Sequence, residues 1–367
     1  METPRDSGGA GLVPEPRDVR LRELSSGIDA LYMSGHGTVS PGLLKLLENA
    51  RREAEERSDV VPLALGDGGW VIEPRRFLLY RYSLVHEHGR MGVSDRESLP
   101  ALRLQPLSEF IHAVGAADAV AWFRGQAEEA VAGVRLTGAR LDLYADWQGW
   151  QLSASDLPCF VRRAKYSNTR ASGEDWTGFD FGLRKSKTVL GRLYDKTREV
   201  DAEGKDWWYE IWAERFERAL PVLRTELEVG RIGLREHGIE AAADMVERAP
   251  ELWAALTSSW LTHRTPSGDE TRARWPVSPQ WQQVQHASFA HGAIGLERVR
   301  QGKNTGSLRT LMPALVGYLA SAGAHLGSDS LEDTMELLVE HVWRYGDLRG
   351  HAFEDRIREK RCDRGAA

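Results

Sequence analysis

Three short segments constrain this chain more than anything else in it: RLDLYADW from Arg140, VLGRLYDKT from Val189 and VLRTELEVG from Val222. In each, charged and apolar residues alternate with a period of two, which is the spacing of a β-strand whose two faces meet different surroundings. The rule groups Arg140, Asp142, Tyr144 and Asp146 opposite Leu141, Leu143, Ala145 and Trp147. It groups Arg192, Tyr194 and Lys196 opposite Val189, Gly191 and Leu193, and Arg224, Glu226 and Glu228 opposite Leu223, Leu227 and Val229. Each strand therefore keeps one side for packing and presents an Arg with carboxylates, or a Tyr-x-Lys pair, on the other.

The rest of the chain fits around that sheet. SPGLLKLLENARREAEERS reads as an amphipathic helix with Ser40 as N-cap and Pro41 at its first position. The stretch from Val61 to Asp95 shows strand-like runs broken by Gly and Pro, and SEFIHAVGAADAVAWFRGQAEEAVAG returns to helical spacing. After about residue 235 nearly everything reads helical, including an acidic helix after Gly327 with Ser330 as N-cap and Leu331, Leu338 and Val342 turned inward. The expected fold class is α+β: a mainly antiparallel sheet core with flanking helices over 21–235, then a helical region over 236–350. The Pro-, Gly- and charge-rich residues 1–20 and the stretch 351–367 are expected to be tails.

Composition bounds the function. Thirteen Trp and 41% hydrophobic residues belong to a folded chain. No run approaches the roughly 18 apolar residues of a membrane span, and the N-terminus lacks the order of a signal peptide, so a cytoplasmic protein without a membrane partner is expected. Cys159 and Cys362 sit in no metal-binding or disulfide spacing. A net charge of −6 argues against non-specific coating of nucleic acid, yet residues 160–198 carry ten basic side chains against four acidic ones. That local excess, which includes Arg162, Arg163, Lys165, Arg170, Arg184, Lys185 and Lys187, can follow a phosphate backbone. Tryptophans 147, 150, 176, 207, 208 and 212 lie among or beside these charges. Trp150 and Trp176, in loops flanking the polar strands, are the preferred platforms for unpaired bases.

If the three polar faces are neighbours, Asp142, Asp146, Glu226 and Glu228 gather oxygen ligands suited to Mg²⁺ or Mn²⁺, with Tyr194 at the edge. A phenol oxygen in line with a phosphorus can attack it and remain as a tyrosyl ester, while Arg192, Lys196 or Arg224 stabilises the developing charge. The plainer alternative is a solvent-facing sheet laced with cross-strand Arg–Glu pairs. VHEHG also places His86 and His88 where both could face one metal, although Glu87 stands between them.

The order ARLDLYADWQG, GRLYDKTREV, VLRTELEVGR resembles the replication initiation factor family, the trans-acting initiators of rolling-circle plasmids and related relaxases. The resemblance covers roughly residues 135–235. It implies a metal-dependent, site-specific endonuclease that nicks one DNA strand and stays attached through a tyrosine, with DNA and a helicase as partners. On that resemblance Tyr194 is the nucleophile and Asp142 and Glu226 are the leading metal ligands, with Asp146, Glu228 and Lys196 secondary. Two other functions remain open: a non-catalytic DNA-binding protein on the same scaffold, and a protein-interaction scaffold built on the helical C-terminal half.

Overall fold

The computed structural model describes residues 21–66, 68–289 and 308–349, with 353, 354 and 357. The expected tails lie outside the described residues, apart from those last three positions.

The alternating segments do form neighbouring strands of one antiparallel sheet. In chain order its strands are β1 (Arg22–His36), β2 (Val61–Leu63), β3 (Trp70–Glu73), β4 (Tyr82–His86), β5 (Gly89–Val93), β6 (Leu102–Pro106) and β7 (Arg135–Gln148). After the short β8 (Phe160–Arg162) come β9 (Ser167–Ser172), β10 (Asp175–Phe181), β11 (Val189–Asp195) and β12 (Leu223–Gly230). Spatially the order is β2-β3-β4-β5-β6-β1-β7-β12-β11-β10-β9. The three segments found by their alternation are thus consecutive in space, with β12 between β7 and β11. β8 pairs instead with β13 (Leu261–His263).

Register decides which side chains meet. Glu228 stands opposite Asp142, Glu226 opposite Tyr144, and Arg224 opposite Asp146. On the other side of β12, Arg192 pairs with Glu226 and Tyr194 with Arg224. β1 runs along the far side of β7 with a register shift between Ile28 and Ala30, which leaves Asp29 as an extra residue in the ladder.

One face of the sheet is apolar and carries the core. Helix α1 (Pro41–Arg57) has the expected cap, with Ser40 accepting from the Leu43 N–H. It packs there with α3 (Ala116–Ala130), which follows the short α2 (Ser108–Val114). Leu47, Phe123, Leu143, Leu227, Met245, Trp253 and Trp281 belong to one continuous cluster. The last three come from α7 (Ala242–Glu247), α8 (Ala249–Ser259) and α9 (Pro279–Gln285), so the segment up to residue 285 completes the sheet's own core.

The polar face is covered at one end only. Helices α4 (Lys196–Glu203) and α5 (Trp207–Trp212) fold back over it, and α6 (Arg231–Glu236) follows β12. Trp208 and Trp212 join Leu24, Tyr144, Val200 and Val222 in a second, smaller cluster. Burial of each indole contributes on the order of 2–3 kcal/mol to holding this cover down.

The C-terminal helices α10 (Leu308–Leu326) and α11 (Leu331–Arg349) pack on each other. Ser330 caps α11 through the Asp333 N–H, as expected. Two of the three residues expected to face inward do not: Leu331 is 55% and Val342 39% exposed, while Leu338 is half-buried. Among the described residues no helix is long and apolar enough to cross a membrane.

Candidate active site

The polar face of β7, β12 and β11 opens beside the α4–α5 cover into a cleft of about 590 Å³. Tyr194 lies at its edge, 8% exposed, and donates its hydroxyl to Glu226 Oε2 at 2.8 Å. The other Glu226 oxygen accepts from Arg192 at 2.6 Å. Glu226 thus holds the phenol with one oxygen while a guanidinium fixes the other. Above the tyrosine ring sits Arg170 of β9, 5.3 Å from its centroid. Gly178 of β10 permits that approach, since a Cβ there would meet the Leu193 carbonyl oxygen at 2.8 Å, Tyr194 Cβ at 2.9 Å and the Arg170 guanidinium at 3.0 Å. Burial, reinforced by the Glu226 charge, holds the Tyr194 hydroxyl well above the ordinary phenol range, so the resting group is a protonated donor.

Asp142 and Glu228 continue the row. Asp142 is gripped by Arg140 through both carboxylate oxygens. Glu228 meets Arg184 at 2.9 Å, Arg140 at 3.0 Å and Arg192 at 3.2 Å. Three carboxylates and three guanidinium groups therefore interlock. Burial first, and then the charges of Glu226 and Glu228, push the Asp142 carboxyl up to about 7 against the pull of Arg140. An unfolded Asp titrates near 3.9. Asp142 therefore takes stability away from the fold as pH rises from about 4 to about 7, and the cost is complete above 7. Asp142→Asn is expected to stabilise the protein more at pH 8 than at pH 5, by a difference on the order of 2–3 kcal/mol. Thermal melts of both proteins at the two pH values test this; equal shifts would contradict the raised carboxyl.

Three expected site residues lie elsewhere. Arg224 is fully buried beneath the cover, sandwiched between the rings of Trp208 at 4.0 Å and Tyr144 at 4.3 Å. Its Nε and Nη2 bind Asp146 at 2.6 and 2.7 Å, and Trp212 Nε1 donates to the same carboxylate at 2.9 Å. Asp146 is thereby committed to a buried ion pair and is not free as a metal ligand. Lys196 does not continue the strand face: Asp195 accepts from the Arg198 N–H and caps α4, so Lys196 opens a helix. Its Nζ is 2.8 Å from Glu199 and 5.0 Å from the Trp208 ring centroid. Arg224, Asp146 and Lys196 hold the floor of the site rather than line it.

Asp29 and Tyr32 of β1, which no sequence pattern marks, line the cleft opposite Tyr194. Asp29 accepts from Ser108 at 2.7 Å, and although burial opposes it, Arg224 with His112 and Lys196 holds its carboxyl well below the usual range.

The expected DNA contacts divide by exposure. Arg163, Lys165, Arg184, Lys185 and Lys187 are exposed. Arg162 turns back onto Ser167 Oγ at 2.7 Å and the Phe181 ring. Trp176 is half-buried against Phe179. Trp150 is a core residue instead of a stacking platform, 9% exposed with its ring edge-to-face on His263 and Trp281. His86 and His88 pack with Trp122 in an aromatic cluster, and His86 Nδ1 accepts from the His88 N–H.

For Mg²⁺ or Mn²⁺ the donor set fits in kind, since Asp142, Glu226 and Glu228 bring hard oxygens together around Arg192. In the conformation described, the guanidinium groups already supply the positive charge. Among the described residues no three acidic, His or Cys side chains are spaced as a ready metal cage.

No protein-family profile and no curated protein matches the chain. Among solved structures it is similar to a rolling circle replication initiator protein from Geobacillus stearothermophilus, at 16% identity and a TM-score of 0.45, over 74% of this chain and 99% of that one.

Proposed function

We propose that this protein is a DNA-nicking enzyme in which Tyr194 attacks a backbone phosphate and stays attached to the broken strand, in rolling-circle replication or transfer of a mobile element. The observation that carries this reading is the Tyr194 hydroxyl donating to Glu226 at the edge of a cleft ringed by arginines. A phenol held high in pKa needs a base placed to receive its proton, and Glu226 is at hydrogen-bond distance. As that proton passes to Glu226, the Tyr194 oxygen–phosphorus bond forms. The bond from phosphorus to the departing sugar oxygen breaks, and that oxygen takes a proton from water to leave a hydroxyl end. Arg192 and Arg170 flank the tyrosine and neutralise the charge gathering on the phosphate.

Asp142, Glu226 and Glu228 would hold Mg²⁺ or Mn²⁺, which when bound polarises a phosphate oxygen. Exposed Arg163, Lys165, Arg184, Lys185 and Lys187 would carry the strand toward the cleft. The test is incubation of the purified protein with labelled single-stranded DNA from the region around its gene, with and without Mn²⁺, followed by denaturing electrophoresis. A protein-sized labelled band dependent on the metal is expected. DNA affinity without any such band across all fragments would replace the enzyme by a binding protein on the same scaffold.

A further inference from the structure

A second cleft, of about 440 Å³, adjoins the first, and Arg140 lines both. Its lip is the turn between β3 and β4. Phe77 and Tyr80 exchange backbone hydrogen bonds of 3.1 and 2.9 Å, so Leu78 and Leu79 form a two-residue hairpin loop. Such loops favour Asn and Gly, because a positive φ is needed. Here Leu78 adopts φ 55°. The two leucines are 68% and 66% exposed, whereas Phe77 and Tyr80 at the base are 8% and 6% exposed. The base is packed so closely on β5 that a Cβ at Gly92 would meet both rings within 2.9 Å. A rigid mount thus presents two apolar side chains to water in a backbone conformation that costs roughly 1 kcal/mol or more.

The cleft behind this turn is basic. Arg103, Arg184, Lys187 and Arg231 line it, and its acid, Glu228, is already held by three arginines. Arg103 is the telling residue. Its guanidinium lies over the Tyr32 ring at 5.3 Å, its Nε is buried without a hydrogen-bond partner, and it makes no ion pair among the described residues. A half-buried cation in that state is completed by an anion from outside. Arg75 and Arg76, on the approach to the turn, are exposed.

We infer that this cleft grips the sugar-phosphate backbone of duplex DNA and that Leu78–Leu79 is a wedge that parts the bases beside the strand entering the Tyr194 cleft. The inference rests on the nicking function proposed above. Phosphate contacts offset the few kcal/mol that unstacking a base step costs, and apolar side chains are what such wedges are made of. A phosphodiester seated against Tyr194 belongs to an unpaired strand, so an opening device next to the site completes it.

The experiment measures permanganate reactivity of unstacked thymines in a supercoiled plasmid carrying the DNA around the gene. Affinity and adduct formation on a single-stranded oligonucleotide are measured alongside. Leu78→Gly/Leu79→Ser relieves the positive φ and touches no core residue, so the fold is retained. Wild-type protein is expected to open a short thymine-reactive window. The double variant should lose that signal by about tenfold or more while single-strand affinity stays within about twofold. Arg103→Gln should weaken duplex binding and lower the salt slope by about one. The wedge is overturned if wild-type protein opens no duplex, if the double variant opens it equally, or if opening and single-strand affinity fall together. Opening without any single-strand adduct would sink the nicking function and leave the wedge standing.

Discussion

Tyr194→Phe is expected to abolish the covalent protein–DNA adduct while leaving the fold and DNA affinity in place. The substitution deletes one oxygen from a side chain whose ring is fixed by neighbours that Phe keeps. Arg170 still lies over the ring, and Gly178 still leaves room beneath that guanidinium. Glu226 loses the hydroxyl it accepts at 2.8 Å but keeps Arg192 at 2.6 Å, so no buried carboxylate is left without a cation. The stability change should therefore stay within about 1 kcal/mol, the usual net worth of a single hydrogen bond. Of the other tyrosines near the cleft, Tyr32 stands across it on β1, and the Tyr144 hydroxyl, pushed far up by burial, lies under the α4–α5 cover. The adduct band should fall below detection, with single-strand affinity within about twofold and a melting temperature lowered by no more than a few degrees. An adduct that survives in the variant assigns the chemistry to another residue. A collapse of the fold would make Tyr194 structural.

Much of this site is legible in the sequence, because strand alternation is a local property. The period of two puts Asp142, Tyr194, Glu226 and Glu228 on one face, and the pairing of β7, β12 and β11 turns three faces into one. The parts that are not legible depend on non-local or competing effects. Asp29 sits in GIDALYMSG between apolar neighbours, and it reaches the cleft through the register shift between Ile28 and Ala30, which no alternation announces. Lys196 follows the strand pattern in sequence, but Asp195 is a good N-cap and the helix wins. Trp150 is adjacent to the polar strands along the chain, yet His263 and Trp281, more than a hundred residues away, take it into the core. Trp208 and Trp212 could be read as base-stacking rings; their use as a cover follows from the buried charge beneath them.

That buried charge sets the largest expected stability effect. Arg224→Met keeps much of the stem's volume and removes the cation, so Asp146, fully buried, and Asp29, bound at 3.4 Å, both lose their guanidinium. Removing one partner from a buried pair costs about 3–5 kcal/mol, a large part of the roughly 5–15 kcal/mol that holds a typical domain together. The pH dependence should also change sign. In the wild-type protein the depressed Asp29 carboxyl contributes stability that is present above its unfolded value and is lost as pH falls through its lower folded value. Without Arg224, burial dominates and the carboxyl prefers its proton, so the variant should become less stable as pH rises above about 4, where the unfolded chain ionises. Urea denaturation of both proteins at pH 5 and pH 8 reads this directly, with a deficit that is larger at pH 8. Arg224→Lys should rescue little, since an ammonium cannot bind Asp146 in two places while lying flat between Trp208 and Tyr144. The cover then loosens over Tyr194, whose register partner is Arg224 itself, and the adduct should weaken along with the fold. A loss below about 1 kcal/mol, or a deficit equal at both pH values, would mean that Trp212 and Ser25 alone satisfy Asp146 and that Arg224 is not the keystone of the floor.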